Sequence, residues 1–183
     1  MSGSGSVTIL TGPAGAGKST VARRLADTLD LSVHLHTDDF WDFIVSGGIL
    51  PYLPESDAQN HTVLEATAAA AFAYAEGGYD VIADGVVGPW MLQHYRHAAS
   101  RHPSIPLRYV VLRPSLEVTL ARAVSRSAPT ALTDAEVISD LWGRFADLGE
   151  LEPHVLDSTD LDPDETAAAV RAALYSGAFE LES

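Results

Sequence analysis

A run of residues near the N-terminus has the composition and spacing of a phosphate-binding loop. Residues 12–20 fit the pattern G-x-x-x-x-G-K-[ST], whose glycines let successive backbone N–H groups turn toward an anion. An apolar run at residues 7–10 precedes the loop, and Val21, Leu25 and Leu29 follow it at helical spacing. A strand, a glycine-rich turn and a helix start are the elements that phosphate binding needs. The loop residues are Gly12, Pro13, Ala14, Gly15, Ala16, Gly17, Lys18, Ser19 and Thr20.

Two side chains of this loop have predicted roles toward ATP and Mg²⁺. Lys18 is expected to reach the β- and γ-phosphates, and the Ser19 hydroxyl is expected to ligate Mg²⁺. The alternative is a flexible Gly/Ala loop that carries an exposed lysine. Phosphate binding is favoured because Lys18 is the only lysine in 183 residues.

Asp38 and Asp39 follow the second predicted strand and are candidates for acid–base chemistry. A hydroxyl that accepts a phosphoryl group needs a carboxylate to position it and to take its proton. Only one of the two can face a cleft if the strand direction persists, and Asp38 is favoured as the catalytic residue. Alternatively, both are solvated turn residues, or Asp39 caps the next helix.

Asp84 ends an apolar strand pattern, residues 80–84, in the form Val-Ile-Ala-Asp. Its carboxylate is predicted to hold Mg²⁺ beside Ser19, directly or through water. Two alternatives remain open, because Asp84 could instead bind the acceptor or cap the turn that follows it.

Arg122 and Arg126 lie four residues apart on one predicted helix face. Like charges at this spacing repel, and an anion between them would reverse the penalty, so ATP phosphates are the expected partner. The loop at residues 127–132 is predicted to close as a short lid that excludes water. The alternative is ordinary pairing of the arginines with acids such as Asp134 or Glu136.

Other candidate residues carry weaker signals. The seven histidines show no tight metal-ligand spacing beyond His34 and His36, and each is interpreted as a hydrogen-bonded or surface residue. Trp41, Trp90 and Tyr52 lie near predicted strand ends, where they could clasp an apolar substrate, although aromatic residues are more often part of a core.

Five strands that alternate with helices are expected to position these residues. The pattern predicts one α/β domain over residues 1–183, with a parallel sheet, right-handed crossovers and helices on both faces. Ligands bind such sheets at the carboxyl ends of the strands, where the candidate residues fall. The predicted strands are residues 7–10, 32–36, 80–84, 107–112 and 154–157.

Several helix boundaries have their own sequence signals. Capping boxes are predicted at Ser56 with Gln59, at Thr133 with Glu136, and at Asp162 with Glu165. The helices that follow are expected to reach residues 76, 148 and 175, and a further helix is expected over residues 90–101. After Gly177 the chain is expected to fray.

Composition excludes some classes of function. A net charge of −14 argues against a nucleic-acid partner, whose phosphates need a basic surface. No cysteine is present, which excludes disulfides and thiolate metal sites. The N-terminus lacks the basic residues of a signal peptide, and no apolar run approaches a membrane span. We therefore expect a cytoplasmic monomer or homodimer with no membrane contact.

From about residue 7 to residue 175, the chain resembles the small P-loop kinases of the nucleoside-monophosphate-kinase type. It is most similar to the branch that holds shikimate kinase, gluconate kinase and chloramphenicol phosphotransferase. The resemblance implies a three-layer sandwich with strand order 2-3-1-4-5. It also implies that Asp38 orients or deprotonates the acceptor, that Arg122 and Arg126 contact ATP phosphates, and that residues 158–163 border the adenine.

The chain departs from that family in the region that would bind the acceptor. Shikimate kinases have an aspartate where His36 stands and an arginine clamp that has no counterpart here. Residues 25–95 contain neither lysine nor arginine. An anionic acceptor would be repelled there, so the predicted function is transfer of the ATP γ-phosphate to a hydroxyl of a small neutral or cationic molecule. The alternatives are a nucleotide or nucleoside kinase and a non-catalytic ATP-binding sensor.

Overall fold

The computed structural model describes residues 4–124 and 132–181, which include five strands and seven α-helices. The strands are β1 (Ser6–Thr11), β2 (Ser32–His36), β3 (Asp80–Asp84), β4 (Leu107–Leu112) and β5 (Val155–Leu156). The helices are α1 (Lys18–Ala26), α2 (Asp39–Asp42), α3 (Asp57–Glu76), α4 (Gln93–Arg101), α5 (Leu116–Val124), α6 (Ala135–Arg144) and α7 (Pro163–Ser176).

The strands form one parallel sheet in the order β2-β3-β1-β4-β5, which confirms the predicted α/β fold class and strand order. All six residues of β1 are buried, because β1 lies at the centre of the sheet and both of its faces are covered. In register, Leu10 of β1 pairs with Asp84 of β3, and Asp84 pairs with His36 of β2. The carboxyl ends of three neighbouring strands therefore meet at one edge.

Two apolar clusters cover the two faces of the sheet. On one face, Val7 and Ile9 of β1 pack with a cluster that includes Leu64 and Phe72 of α3. On the other face, Leu10 packs with Leu25 of α1 and with residues of α7. Both faces are thus buried under helices, as the alternation of strands and helices predicts.

Two of the three predicted capping boxes are wrong. Ser56 makes no side-chain cap to α3, because its hydroxyl donates instead to the carbonyl oxygens of Pro51 and Leu53 at 2.9 and 2.7 Å. At α6 the cap is Asp134, not Thr133, and its carboxylate accepts from the N–H groups of Glu136 and Val137. Only the box at Asp162 is confirmed.

Several boundaries differ from their predictions: β1 extends over Ser6–Thr11, and β5 covers only Val155–Leu156. Helix α4 begins at Gln93 and α6 ends at Arg144, so each is shorter than its sequence pattern suggests. The segment after Gly177 is ordered as far as residue 181, because Tyr109 N–H donates to the Phe179 carbonyl and Leu181 N–H donates to the Leu107 carbonyl, both at 2.9 Å. The predicted lid lies outside the described residues except for Leu132.

Within residues 4–124 and 132–181, no helix combines the length and the apolar character needed to cross a membrane.

Candidate functional site

The loop between β1 and α1 turns through backbone conformations that only glycine adopts readily. Gly12 has φ 140° and Gly15 has φ 93°, both in the left-handed region. A Cβ at Gly12 would lie 2.1 Å from the Leu112 carbonyl oxygen, and one at Gly15 would lie 2.4 Å from the Thr119 carbonyl oxygen. The curled loop thus packs directly against the backbone of β4 and α5.

Lys18 folds back over this loop. Its side chain is buried, and its Nζ donates to the Pro13 carbonyl oxygen at 3.0 Å. The ammonium group therefore lies against the loop backbone, within the segment that is predicted to bind phosphates. A buried ammonium that bonds to a neutral carbonyl is a strong donor for an incoming anion.

Asp84 connects the loop to the second strand. Its carboxylate is 1% exposed and accepts two short hydrogen bonds, from Ser19 Oγ to Oδ2 at 2.6 Å and from His34 Nε2 to Oδ1 at 2.6 Å. The strand order explains this meeting, because β3 lies between β1, which leads into the loop, and β2, which carries His34.

The pKa of Asp84 lies below its ordinary value. Burial alone would raise the pKa of Asp84, but the hydrogen bonds from His34 and Ser19, with the charges of His36 and His34, outweigh burial. The carboxylate is therefore ionised at neutral pH. An ionised carboxylate beside a hydroxyl is the oxygen donor set that Mg²⁺ prefers, so Ser19 and Asp84 fit this ion.

His34 was missed at the sequence level, where it was interpreted as an ordinary hydrogen-bonded or surface residue. Its partner is 50 positions away, and only the pairing of β2 with β3 brings the two together. The available signal was the alternation of β2, which puts His34 and His36 on the same side as each other. That alternation indicates a role for His34 beside Asp84 only when β3 is known to be the neighbouring strand.

The candidate catalytic residue Asp38 lies immediately before α2 and is exposed. Its side chain makes no capping bond, and its Oδ2 lies 3.9 Å from His36 Nε2. Asp39 is the first residue of α2 rather than its cap, and its Oδ1 accepts from His36 Nδ1 at 2.9 Å. His36 therefore lies between the two carboxylates.

The pKa of His36 is raised above its ordinary value. Burial lowers the pKa of His36, but the hydrogen bond to Asp39 and the charges of Asp84, Asp38 and Asp39 together raise it. When protonated, His36 offsets part of the negative charge at this end of the sheet. Residues 37–60 contain no lysine, arginine or histidine that could do the same.

A close contact joins the ends of β2 and β3. Thr37 N–H donates to the Asp84 carbonyl oxygen at 2.9 Å, and a Cβ on Gly85 would lie 1.8 Å from Thr37 Oγ1. An alanine at position 85 would therefore clash with the Thr37 side chain. This contact lies where the chain leaves β2, one residue before Asp38.

Arg122 points toward the segment that follows β5. Its Nη2 donates to the carbonyl oxygens of Leu161 and Ser158 at 3.2 and 3.4 Å. This is the segment that the resemblance assigns to the adenine. The roles of Arg122 and Arg126 toward phosphate stay predictions, and Arg126 lies outside the described residues.

Comparison with known proteins identifies the class. Residues 7–148 match the model of a family described as an AAA domain, and the chain belongs to that family. No curated protein matches the chain.

Solved structures share the fold. An APS kinase from Mycobacterium tuberculosis, in complex with AMPPNP and APS, has a TM-score of 0.71 at 20% identity and covers 94% of this chain and 99% of its own. A sugar kinase from Janibacter sp. has a TM-score of 0.67 at 21% identity, over 94% and 95%. A shikimate kinase from Acinetobacter baumannii, in complex with shikimate, has a TM-score of 0.66 at 20% identity, over 94% and 94%. The chain thus has the fold of the small P-loop kinases.

Proposed function

We propose that this protein is an ATP-dependent phosphotransferase that moves the γ-phosphate to a hydroxyl group of a small neutral or cationic molecule. The observation that carries the proposal is the 2.6 Å hydrogen bond between Ser19 Oγ and the buried carboxylate of Asp84. It joins the phosphate-loop hydroxyl to an ionised acid at the carboxyl edge of the sheet. Membership of the AAA-domain family and the fold of the P-loop kinases support the same function.

The loop residues, Asp84 and Asp38 each have a defined part in this reaction. Backbone N–H groups of residues 12–20 and the Lys18 ammonium bind the phosphates, and Ser19 and Asp84 hold Mg²⁺. When bound, Mg²⁺ neutralises negative charge on the phosphate oxygens. Asp38 orients the acceptor hydroxyl and takes its proton as the new oxygen–phosphorus bond forms and the bond to the ADP oxygen breaks.

The charges around Asp38 support an acceptor that is not anionic. Asp38 and Asp39 expose 67% and 61% of their side chains, and Asp42 is also exposed. Residues 25–95 offer no lysine or arginine to pair with an anion. A phosphate or carboxylate on the acceptor would therefore meet like charge without a bidentate partner.

Two measurements test the proposed function. Calorimetry with a nonhydrolysable ATP analogue and Mg²⁺ should show binding, and an acceptor screen coupled to ADP release should identify neutral or cationic alcohols as substrates. Lys18→Met should reduce nucleotide affinity or turnover on the order of 100-fold, because a charged donor to the phosphates is lost.

Arg171→Met is the matched control, since it removes one positive charge from an exposed position on α7. It should leave both measurements unchanged. Absence of nucleotide binding would contradict the proposal, as would tight ATP binding without ADP release for every acceptor in the panel.

A further inference from the structure

Exposed apolar side chains are concentrated in one segment of the molecule, residues 43–53. Ten large hydrophobic residues are exposed in the part of the chain that the structure describes, and six of them lie in this segment. Phe43 is 68% exposed and Leu50 is 55% exposed. Exposed large hydrophobic residues concentrated in one segment indicate a binding surface, whereas single scattered ones need no explanation. The six residues are Phe43, Val45, Ile49, Leu50, Tyr52 and Leu53.

The backbone of the 43–53 segment is held against α3 although its side chains face water. The Gln59 side chain accepts from Ile49 N–H at 2.9 Å and donates to the Ile49 carbonyl oxygen at 2.7 Å. The Pro51 carbonyl oxygen accepts from Asn60 Nδ2 at 2.8 Å and from Ser56 Oγ at 2.9 Å. The backbone at Ile49 and Pro51 is therefore held in place, which lowers the entropic cost of binding a ligand against this part of the segment.

The segment continues directly from the candidate catalytic residue. Asp38 precedes α2, and Phe43 caps the carboxyl end of this four-residue helix. The Phe43 ring lies 5.4 Å from the Phe40 ring, next to Asp39 in the chain. Only the four-residue helix α2 thus separates the 43–53 segment from Asp38, the residue that an acceptor hydroxyl would reach.

Acidic side chains flank the segment on both sides. Asp39 and Asp42 come before it, and Glu55 and Asp57 come after it, all of them exposed. No lysine or arginine lies between residues 25 and 95. Along the chain, the segment is apolar and is bounded by acidic residues at both ends, so it complements a ligand that is both apolar and positively charged.

We propose that residues 43–53, together with Asp42, bind the body of the acceptor, and that the acceptor is an alcohol carrying an apolar ring or chain and a protonated amine. This inference rests on the proposed phosphotransferase function and specifies its substrate class. The apolar part packs on the exposed hydrophobic side chains, the amine pairs with Asp42, and the hydroxyl reaches Asp38.

Four probes separate the contributions of ring and charge. Phenylglycinol has a ring and an amine, 2-phenylethanol has the ring alone, ethanolamine has the amine alone, and phenyllactate has a ring with a carboxylate. Binding of each is measured by ligand-observed NMR titration on the full chain with the nonhydrolysable ATP analogue and Mg²⁺. Phenylglycinol should bind at least about tenfold more tightly than each of the other three, since ring burial and ion pairing both contribute. Equal binding of the four probes, or no binding of phenylglycinol, would overturn the proposal.

Variants locate the binding surface. The double variant Phe43→Ser/Leu50→Ser should weaken phenylglycinol binding about tenfold through the lost apolar contact. Tyr175→Ser, which removes an exposed aromatic ring far along the chain on α7, should have no effect. Asp42→Asn should remove the preference for phenylglycinol over 2-phenylethanol, whereas Asp140→Asn on α6 should retain it.

The competing occupant of the patch is a second copy of this chain. If light scattering shows a dimer that Phe43→Ser/Leu50→Ser converts to a monomer without a change in probe binding, the patch is a self-interface and the proposal is wrong. The two proposals fail separately. If these substitutions leave nucleotide binding and ADP release unchanged, only the proposed substrate class is wrong. If the protein does not bind nucleotide, the proposed phosphotransferase function itself is wrong.

Discussion

The two sides of the candidate site are built in opposite ways. On the nucleotide side, Lys18 and Asp84 are buried, and the short bonds of Asp84 to Ser19 and His34 hold it in place. On the acceptor side, Asp38 and the hydrophobic residues of the 43–53 segment are exposed. Buried, hydrogen-bonded groups are costly to alter, whereas exposed loop side chains change at little cost to the fold. Under the proposed function, phosphate binding would therefore depend on the core of this protein, and acceptor choice would depend on its surface.

The largest expected effect comes from the acceptor side. Asp38→Asn should reduce phosphoryl transfer about 100-fold or more, because the amide cannot take the acceptor's proton. The dissociation constant of the nonhydrolysable ATP analogue should stay unchanged in calorimetry, because Asp38 lies just after the end of β2 and pairs with His36 rather than belonging to the phosphate loop. Asp39→Asn is the matched control, and a larger loss of transfer in that variant would assign the base to Asp39.

A smaller effect is expected on the nucleotide side. His34→Phe removes one of the two donors to the Asp84 carboxylate and should raise the Mg²⁺ concentration for half-maximal nucleotide binding about tenfold. His34→Gln, which retains a donor, should recover part of the loss, and His97→Gln at an exposed position on α4 should behave as wild type. Calorimetry across a Mg²⁺ series measures the effect. An unchanged Mg²⁺ requirement in His34→Phe would show that Asp84 is oriented without this bond.

The contact between Gly85 and Thr37, where β2 and β3 end, is tested by measuring the free energy of unfolding. Gly85→Ala places a methyl group against Thr37 Oγ1 and should lower the free energy of unfolding by about 1–3 kcal/mol in urea denaturation. The double variant Gly85→Ala/Thr37→Ala should recover part of this loss, because the clashing oxygen is gone. Gly143→Ala in the exposed part of α6 meets no atom within 4 Å and should stabilise the protein slightly. If Gly85→Ala leaves the free energy of unfolding unchanged, β2 and β3 can separate at this end.

The smallest effect concerns pH. The pKa of folded His36 is raised, so its contribution to stability is complete below the unfolded-state pKa and is lost as pH rises through the higher folded-state pKa. Between about pH 5 and about pH 8, the melting temperature of the wild type should therefore fall relative to that of His36→Gln. His97→Gln should follow the wild type. If the melting temperatures of wild type and His36→Gln change equally with pH, the pairing of His36 with Asp38 and Asp39 does not stabilise the folded protein.

Local sequence determined the parts of the protein whose physics is local. The glycine spacing of residues 12–20 predicted the loop because left-handed backbone conformations need glycine, and the structure has Gly12 and Gly15 in that region. Strand β2 was predicted to the residue from its alternation of side chains, and β3 and β4 were predicted to the residue from their apolar runs. The capping box at Asp162 was confirmed: Asp162 N–H donates to the Glu165 side chain, and Glu165 N–H donates to the Asp162 side chain.

Tertiary structure decided what depends on residues far apart in the chain. Ser19 lies 65 positions from Asp84 and His34 lies 50 from it, so no local pattern shows that the three share hydrogen bonds. Ser56 was predicted to cap α3, but its hydroxyl donates instead to two carbonyl oxygens of the 43–53 segment. Composition shows which side chains a chain has available. Which of them meet is set by the pairing of strands, because only the folded sheet brings distant carboxylates, hydroxyls and imidazoles within hydrogen-bonding distance.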